Sequence, residues 1–349
     1  MILVTGGAGF IGRAVVRALI SRGEPVRVVD SLRIDVHGTH PAPPTPGAEF
    51  LHGDLQDRGV VAAALDGVDT VLHLAAKVGL GVSLGDAPDY IASNDQATAE
   101  LVAGMAVAGV GRLVLSSSMV VYGEGAYLGA SGPTRPAPRR LADLEAGRFE
   151  PRSADGEQLR SSLILEDATL DPRNVYASSK LAQEHLAAAW ARASGGVAAV
   201  LRYHNVYGPG MPQNTPYAGV ASLFRSALAR REAPLVFEDG RQRRDFVHVD
   251  DVASANLAAL DWTAAQLAGT VRPFNIGSGV VHTIGEVASA LCADDELDPV
   301  ITGAFRLGDV RHITASSERA RRELAWEPRV AFDDGMRDFR TAPLRPAAR

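Results

Sequence analysis

The first twelve residues, Met1-Ile2-Leu3-Val4-Thr5-Gly6-Gly7-Ala8-Gly9-Phe10-Ile11-Gly12, constrain the fold more than any other segment. A short apolar, β-prone run ends in spaced glycines, and a helix-like stretch follows at once. A second apolar run, Val26-Arg27-Val28-Val29, closes on Asp30. Strand, glycine turn, helix, strand and acid, in that order, form the fingerprint of a βαβ unit that binds a dinucleotide. Gly6 permits the tight turn, Gly9 lets the backbone approach a pyrophosphate, and Gly12 lets the helix pack close to the strand. The helix N-terminus then offers free N–H groups and a positive dipole end to the phosphates. The Asp30 carboxylate accepts hydrogen bonds from ribose hydroxyls and repels a 2′-phosphate, so NAD is expected over NADP.

Strand-like runs at 2–5, 26–30, 70–74, 112–116 and 198–203 alternate with helix-like runs at 13–22, 60–65, 93–108 and 177–194. Such alternation predicts an α/β fold, a doubly wound parallel sheet of Rossmann type with ligands at the C-terminal ends of its strands. The last third alternates more weakly and carries Arg-rich loops, which predicts a smaller, discontinuous C-terminal substrate domain. The expected division is 1–204 with 246–275 for the dinucleotide half and 205–245 with 276–340 for the substrate half. Three segments interrupt the pattern: a Pro-rich loop at 37–47, a long mixed stretch at 124–173, and a small-residue tail at 341–349 expected to be disordered.

At 349 residues, 46% apolar and 22% charged, the chain has the composition of a globular protein with a substantial core. A net charge of −6 gives no general case for nucleic acid or a membrane surface as partner. Cys292 is the sole cysteine, which excludes an internal disulfide and a cysteine-based metal cluster; a buried apolar role is expected for it, and no metal. No stretch reaches membrane-spanning length, and the N-terminus runs straight into a core strand without a basic leader, so the cytoplasm is the expected location.

Tyr176-Ala177-Ser178-Ser179-Lys180 opens a helix, and the spacing puts Tyr176 and Lys180 on one face, one turn apart. A Tyr hydroxyl titrates near ~10 and is a poor base at neutral pH. A neighbouring ammonium favours the phenolate, so Lys180 is expected to lower the Tyr176 value. Alone, such a pair also fits a solvated helix face. Leu113-Val114-Leu115-Ser116-Ser117-Ser118 reads as a buried strand whose hydroxyls reach the ligand edge of the sheet, or else as a capped strand end. Asn94, in the helix-like run between two strands, is either a satisfied core amide or a holder of a water and a backbone carbonyl near the site.

Further motifs join these: Gly53-Asp54-Leu55, His73-Leu74-Ala75-Ala76, Val121-Tyr122-Gly123, Leu201-Arg202-Tyr203-His204-Asn205-Val206-Tyr207-Gly208-Pro209-Gly210 and Arg244-Asp245-Phe246-Val247-His248-Val249-Asp250-Asp251. Together with the glycine turn and Tyr176/Lys180, they resemble the extended short-chain dehydrogenase/reductase superfamily. Within it the chain is similar to the NAD-dependent nucleotide-sugar epimerase/dehydratase family, over nearly its whole length. The resemblance implies that Gly6, Gly9, Phe10, Ile11, Gly12 and Asp30 hold the cofactor. Asp54 and Leu55 would flank its adenine, and Ala75, Ala76 and Lys77 would line its pyrophosphate and ribose. Ser118, four residues before Tyr122, matches the family's catalytic Ser/Thr. Tyr176 would be the acid/base, Lys180 its partner, and Asn94 a further member of the catalytic set. Asn205 would contact the substrate diphosphate, Val236 and Phe237 would border the base, and Arg244 and Arg311 would bind the phosphates. Two guanidinium groups suit a diphosphate, and a surface ion pair is the alternative reading of each. The family also implies a homodimer formed through the helices around 93–108 and 177–194.

The family's 4,6-dehydratases carry an Asp-Glu pair directly after the catalytic Ser/Thr, and its decarboxylases a carboxylate one residue further on. This chain has Met119-Val120 there, and neither can move a proton. C4 epimerisation through a transient 4-keto sugar is therefore expected, on a dTDP- or UDP-hexose. A dehydratase or other oxidoreductase of the same family, or an NAD-binding sensor without catalysis, stand as the alternatives. The stretch between Ser118 and Tyr176 is long and similar to that of dTDP-L-rhamnose 4-epimerase-like members, whose cysteines it lacks. It is read as either a lid over the sugar or a surface excursion.

Overall fold

The computed structural model describes residues 1–79, 83–213, 219–293 and 297–345. From the N-terminus, strands β1 (Ile2–Thr5), β2 (Val26–Asp30), β3 (Glu49–His52), β4 (Thr70–His73) and β5 (Arg112–Ser118) alternate with helices. β1 is buried throughout, with Ile2 and Val4 in one apolar cluster and Leu3 in the other, as a strand covered on both faces requires. The long stretch at 124–173 forms a small antiparallel sheet of β6 (Ala126–Gly129), β7 (Gly132–Thr134) and β8 (Arg160–Ser162). The second half contributes β9 (Val197–Tyr203), β10 (Asn205–Tyr207), β11 (Leu235–Val236), β12 (Arg243–His248), β13 (Val271–Ile276), β14 (Val281–Thr283), β15 (Val300–Ile301) and β16 (His312–Ile313).

Seven strands form one parallel sheet in the order β13-β9-β5-β4-β1-β2-β3. The order reverses between β1 and β4, and the crevice above such a reversal is where an open α/β sheet binds its ligands. Helices Phe10–Ser21, Val249–Ala264 and Glu318–Leu324 cover one face; Arg58–Leu65, Ala97–Ala108 and Val175–Ser194 cover the other. A smaller unit stands beside the C-terminal edges. β12 pairs in parallel with β10 and β16 and antiparallel with β14, and a third apolar cluster around Phe224, Phe246, Val287 and Phe339 supports it. Cys292 is buried in that cluster.

Several elements differ from the sequence reading. The first helix begins at Phe10 rather than at residue 13, because the extended Gly9 is its N-cap and the Arg13 N–H donates to Gly9 O at 3.0 Å. The helix expected from residue 93 begins at Ala87 and passes through a wide π turn, Ile91–Gln96, before continuing to Ala108. β3 was not anticipated; its half-exposed residues give too little apolar contrast. The tail expected to be disordered is ordered at its start. Helix Phe332–Thr341 runs into it, Ala342 is buried, and Arg345 bridges Pro212 in parallel. Residues 346–349 of that tail lie outside the described residues.

Candidate active site

One continuous cavity of about 1240 Å³ runs along the C-terminal edges of the parallel sheet into the smaller unit. This exceeds the roughly 300–1,000 Å³ usual for a single small-molecule pocket, leaving room for two ligands end to end. One end is lined by Gly6, Gly9, Phe10, Ile11, Gly12 and Asp30, with Asp54, Leu55, Ala75, Ala76 and Lys77 close by. The middle carries Ser118, Tyr176, Lys180, His204 and Asn205, and the far end Phe237, Arg244 and Arg306.

The glycine turn has the close backbone approach that its residues predict. Gly6 adopts φ +68, and a side chain there would meet Ala75 N at 2.7 Å. A side chain at Gly12 would lie 2.2 Å from Gly6 O, so only glycine lets the helix start this close to β1. The Asp30 carboxylate accepts from Ala8 N–H at 3.0 Å and Leu32 N–H at 2.9 Å, with His37 Nε2 3.6 Å away. Its oxygens keep further acceptor capacity on the cavity side.

Ser118 ends β5, and its Oγ accepts from Val120 N–H at 3.4 Å. The Tyr176 hydroxyl is close enough for this serine to act on its titration. Helix Val175–Ser194 presents Tyr176 and Lys180 because the Asn174 side chain caps it, accepting from Ala177 N–H at 2.8 Å. Ser117, by contrast, is spent within the fold, donating to Glu184 Oε1 at 2.5 Å. The Lys180 ammonium donates to Ser116 O at 3.0 Å and Gln183 Oε1 at 2.9 Å.

The expected lowering of Tyr176 by Lys180 is corrected. Enclosure raises the Tyr176 hydroxyl to about 12, against the lowering effect of the nearby Ser118 hydroxyl. The same enclosure drives Lys180 down to about 7, with Glu184 raising it. Desolvation penalises the charged form of both groups and is the largest effect on each.

Asn94, placed in the catalytic set by resemblance, stands behind the cavity wall. Its Oδ1 accepts from Lys77 N–H at 2.7 Å, and its Nδ2 donates to Lys77 O at 3.0 Å and Ser179 Oγ at 2.8 Å. It ties the cofactor-side loop to the helix of Tyr176, so it positions and does not touch the reacting atoms. The π turn directs its side chain inward.

At the far end, Arg244 reaches the cavity with its guanidinium braced by Arg311 O at 3.0 Å and Val310 O at 2.6 Å. The buried Asn205 Oδ1 has no hydrogen-bond partner within the fold. Phe237 lines the wall beneath the Arg306 guanidinium, 5.2 Å from its ring centre. Two expectations fail here. Val236 is fully buried behind the wall, where its carbonyl accepts from Thr302 N–H at 2.9 Å. Arg311 is 0% exposed and does not line the cavity; Glu150, Glu238 and Asp239 take its donors at 2.7–3.1 Å. It is held in a buried ion cluster instead of facing a phosphate.

The lid reading of the long insertion is likewise corrected. Among the described residues, none of 124–173 lines the cavity. The insertion lies behind the wall, with Ile164 bridging Ala315 and Arg139 paired to Glu238 at 2.6 Å. Among the cavity residues that escaped the sequence reading are His204, Arg306 and Arg345. His204 was visible inside the Leu201–Gly210 motif as a histidine at the end of a buried strand. Arg345 carried no signal, because its place depends on the tail pairing with residues 211–213.

Residues 2–277 match the model of the NAD dependent epimerase/dehydratase family. The chain belongs to this family. It is 35% identical to the dTDP-L-rhamnose 4-epimerase of Burkholderia thailandensis, over 97% of this chain and 94% of that one. It is 28% identical to the UDP-glucose 4-epimerase of Corynebacterium glutamicum, over 94% and 90%. Among solved structures, MoeE5 in complex with UDP-glucose and NAD is 30% identical, with a TM-score of 0.77 and 97% of each chain covered. The NAD complex of the UDP-glucose 4-epimerase of Thermus thermophilus is 28% identical, with a TM-score of 0.76, covering 98% of this chain and 99% of that one.

The residues present fit the family's cofactor. The cradle between Gly6 and Gly12 tolerates no side chain at either position, and Asp30 faces the cavity as the ribose acceptor NAD requires. At the same end the Nε and Nη1 donors of Arg345 are buried without a partner, and Asp30 and Arg13 act on that guanidinium electrostatically. Unmet donors beside a glycine-rich phosphate turn suit an anion. Among the described residues no helix is long and apolar enough to cross a membrane, and no cluster of metal-ligating side chains occurs.

Proposed function

We propose that this family member is an NAD-dependent nucleotide-sugar 4-epimerase, acting on a dTDP- or UDP-hexose such as dTDP-L-rhamnose. The observation that carries the reading is the Ser118–Tyr176 pair, with no second acid or base directly after Ser118. Val120 lines the cavity where a dehydratase needs a proton-transferring side chain. In the cavity's division, the half from 1–204 and 246–275 serves the cofactor and the half from 205–245 and 276–340 the nucleotide sugar.

NAD held on the glycine turn supplies a hydride acceptor and, later, a hydride donor. Gly6, Gly9, Phe10, Ile11, Gly12, Asp30 and Arg345 would hold its adenosine and diphosphate; Asp54 and Leu55 its adenine; Ala75, Ala76 and Lys77 the remainder. The chain's own residues handle the protons. Tyr176 Oη removes the proton of the sugar C4 hydroxyl as that carbon becomes a carbonyl, and returns it when the hydroxyl reforms. Ser118 Oγ hydrogen-bonds the same oxygen. The Lys180 ammonium, when charged, stabilises the phenolate. Arg244 and Asn205 anchor the diphosphate while the sugar turns over between its two faces, and Phe237 borders the base.

The Tyr176→Phe variant tests the assignment. Removal of a positioned acid/base costs on the order of 10²–10⁴ in turnover. The variant is expected to lose that much kcat while NAD still copurifies; near-wild-type turnover contradicts the role. The exposed apolar residues of a neighbouring helix also support a homodimer. That helix, spanning Ala87–Ala108, leaves Ile91 46% and Val107 91% exposed. A chain with a single cysteine has no internal disulfide to form, and we assign the enzyme to the cytoplasm.

A further inference from the structure

His204 follows β9 directly, and its N–H donates to Ile276 O at 3.0 Å, which fixes the residue on the sheet edge. The side chain is 4% exposed and lines the cavity. Neither Nδ1 nor Nε2 has a hydrogen-bond partner. Burial drives the ring's pKa down to about 3, against a raising effect from the neighbouring Asn275 amide, whose own oxygen and nitrogen are engaged by Tyr122, Ile164 and Ser316, and with the Arg244 charge lowering it further. The imidazole is therefore neutral at working pH. It presents one donor and one acceptor.

Its place defines what it can meet. The preceding residue, Tyr203, is the register partner of Ser118, and the following residue is Asn205. Its backbone thus sits next to that of Ser118's partner on the sheet edge and directly before Asn205, and His204 lines the same cavity as Ser118, Tyr176, Asn205 and Arg244. The neutral ring carries no charge of its own to pair with a phosphate. A group with one unmet donor and one unmet acceptor matches a hydroxyl, which carries both. A buried polar group left unmet costs about 1–3 kcal/mol, so the ring favours a ligand that completes it.

We propose that His204 hydrogen-bonds a hydroxyl of the sugar and makes the cavity selective for the sugar, independently of the nucleotide. The proposal rests on the nucleotide-sugar reading above. Two variants test it: His204→Phe keeps a ring but removes both nitrogens, and His204→Gln restores a donor and an acceptor. Calorimetry on the NAD-loaded enzyme compares dTDP and UDP with dTDP-L-rhamnose and UDP-glucose, and kcat/KM is measured for the same sugars. The expected result is a His204→Phe enzyme that binds the nucleoside diphosphate as wild type does. It loses about 10–100-fold in kcat/KM for the sugar substrate, and His204→Gln recovers most of the loss. Unchanged kcat/KM in His204→Phe overturns the proposal, as does an equal loss of affinity for diphosphate and sugar, which marks a merely structural ring. Wild-type enzyme that binds none of the four probes overturns the nucleotide-sugar reading itself, and this proposal with it.

Discussion

Lys180 stands enclosed on the inner face of its helix, donating to Ser116 O and Gln183 Oε1, and Tyr176 stands one turn earlier on the same face. Enclosure raises the phenol and lowers the ammonium. The same physics governs two buried histidines. His73, bonded to Thr5 Oγ1 at 2.7 Å and Thr98 Oγ1 at 2.9 Å, is held down to about 3 by burial, with the nearby Lys180 charge adding to the effect. His204 is held down to about 3 as well. Unfolded, each takes up a proton near pH ~6.5. Between that value and the folded one, the unfolded chain binds more protons. The stability these groups support is therefore intact above about pH 6.5 and drains as pH falls toward 3, by about 1.4 kcal/mol per pH unit per histidine. Urea unfolding from about pH 6.5 down to about pH 4 checks this. Wild type is expected to lose stability more steeply than His204→Phe, by about one proton's worth of slope. Equal slopes contradict a neutral, buried His204.

The glycine turn, the capped helix of Tyr176 and the strand ending in Ser118 are each local patterns, and each is legible from a short window of sequence. Elements fixed by distant partners are not. The insertion's carboxylate Glu150 reaches Arg311 and His312, so an arginine that the resemblance implies as a phosphate ligand is taken up by a segment far along the chain. Arg345 enters the cavity only because the tail pairs with residues 211–213. Asn94 turns inward because a π turn interrupts its helix. Arg311 also gives the element-scale prediction. Removing one partner of a buried ion cluster costs about 3–5 kcal/mol. Arg311→Met is expected to lose stability in denaturant unfolding, by less than that figure, because Glu150 and Asp239 are 35% and 36% exposed and Glu238 keeps Arg139. Arg244→Met is expected to raise KM for the nucleotide sugar with little change in stability. A stable Arg311→Met enzyme with a raised KM would return Arg311 to the substrate.

At the scale of the whole molecule, a seven-stranded parallel sheet supplies a rigid edge for one ligand, and the smaller unit around β12 closes the same cavity over a second. The dimer proposed through the helices spanning Ala87–Ala108 and Val175–Ser194 predicts a sedimentation mass about twice the chain's 36.7 kDa. A monomer at micromolar concentration contradicts it. The two-ligand cavity makes the central claim a chemical one: NAD stays on the glycine turn while the sugar is oxidised and reduced at one carbon. The most direct measurement uses a nucleotide sugar deuterated at C4, incubated with purified enzyme and no added cofactor. The predicted result is the C4 epimer with deuterium still at C4, and no free reduced cofactor. Deuterium lost from C4, a product lighter by water, or stoichiometric release of reduced cofactor would contradict it.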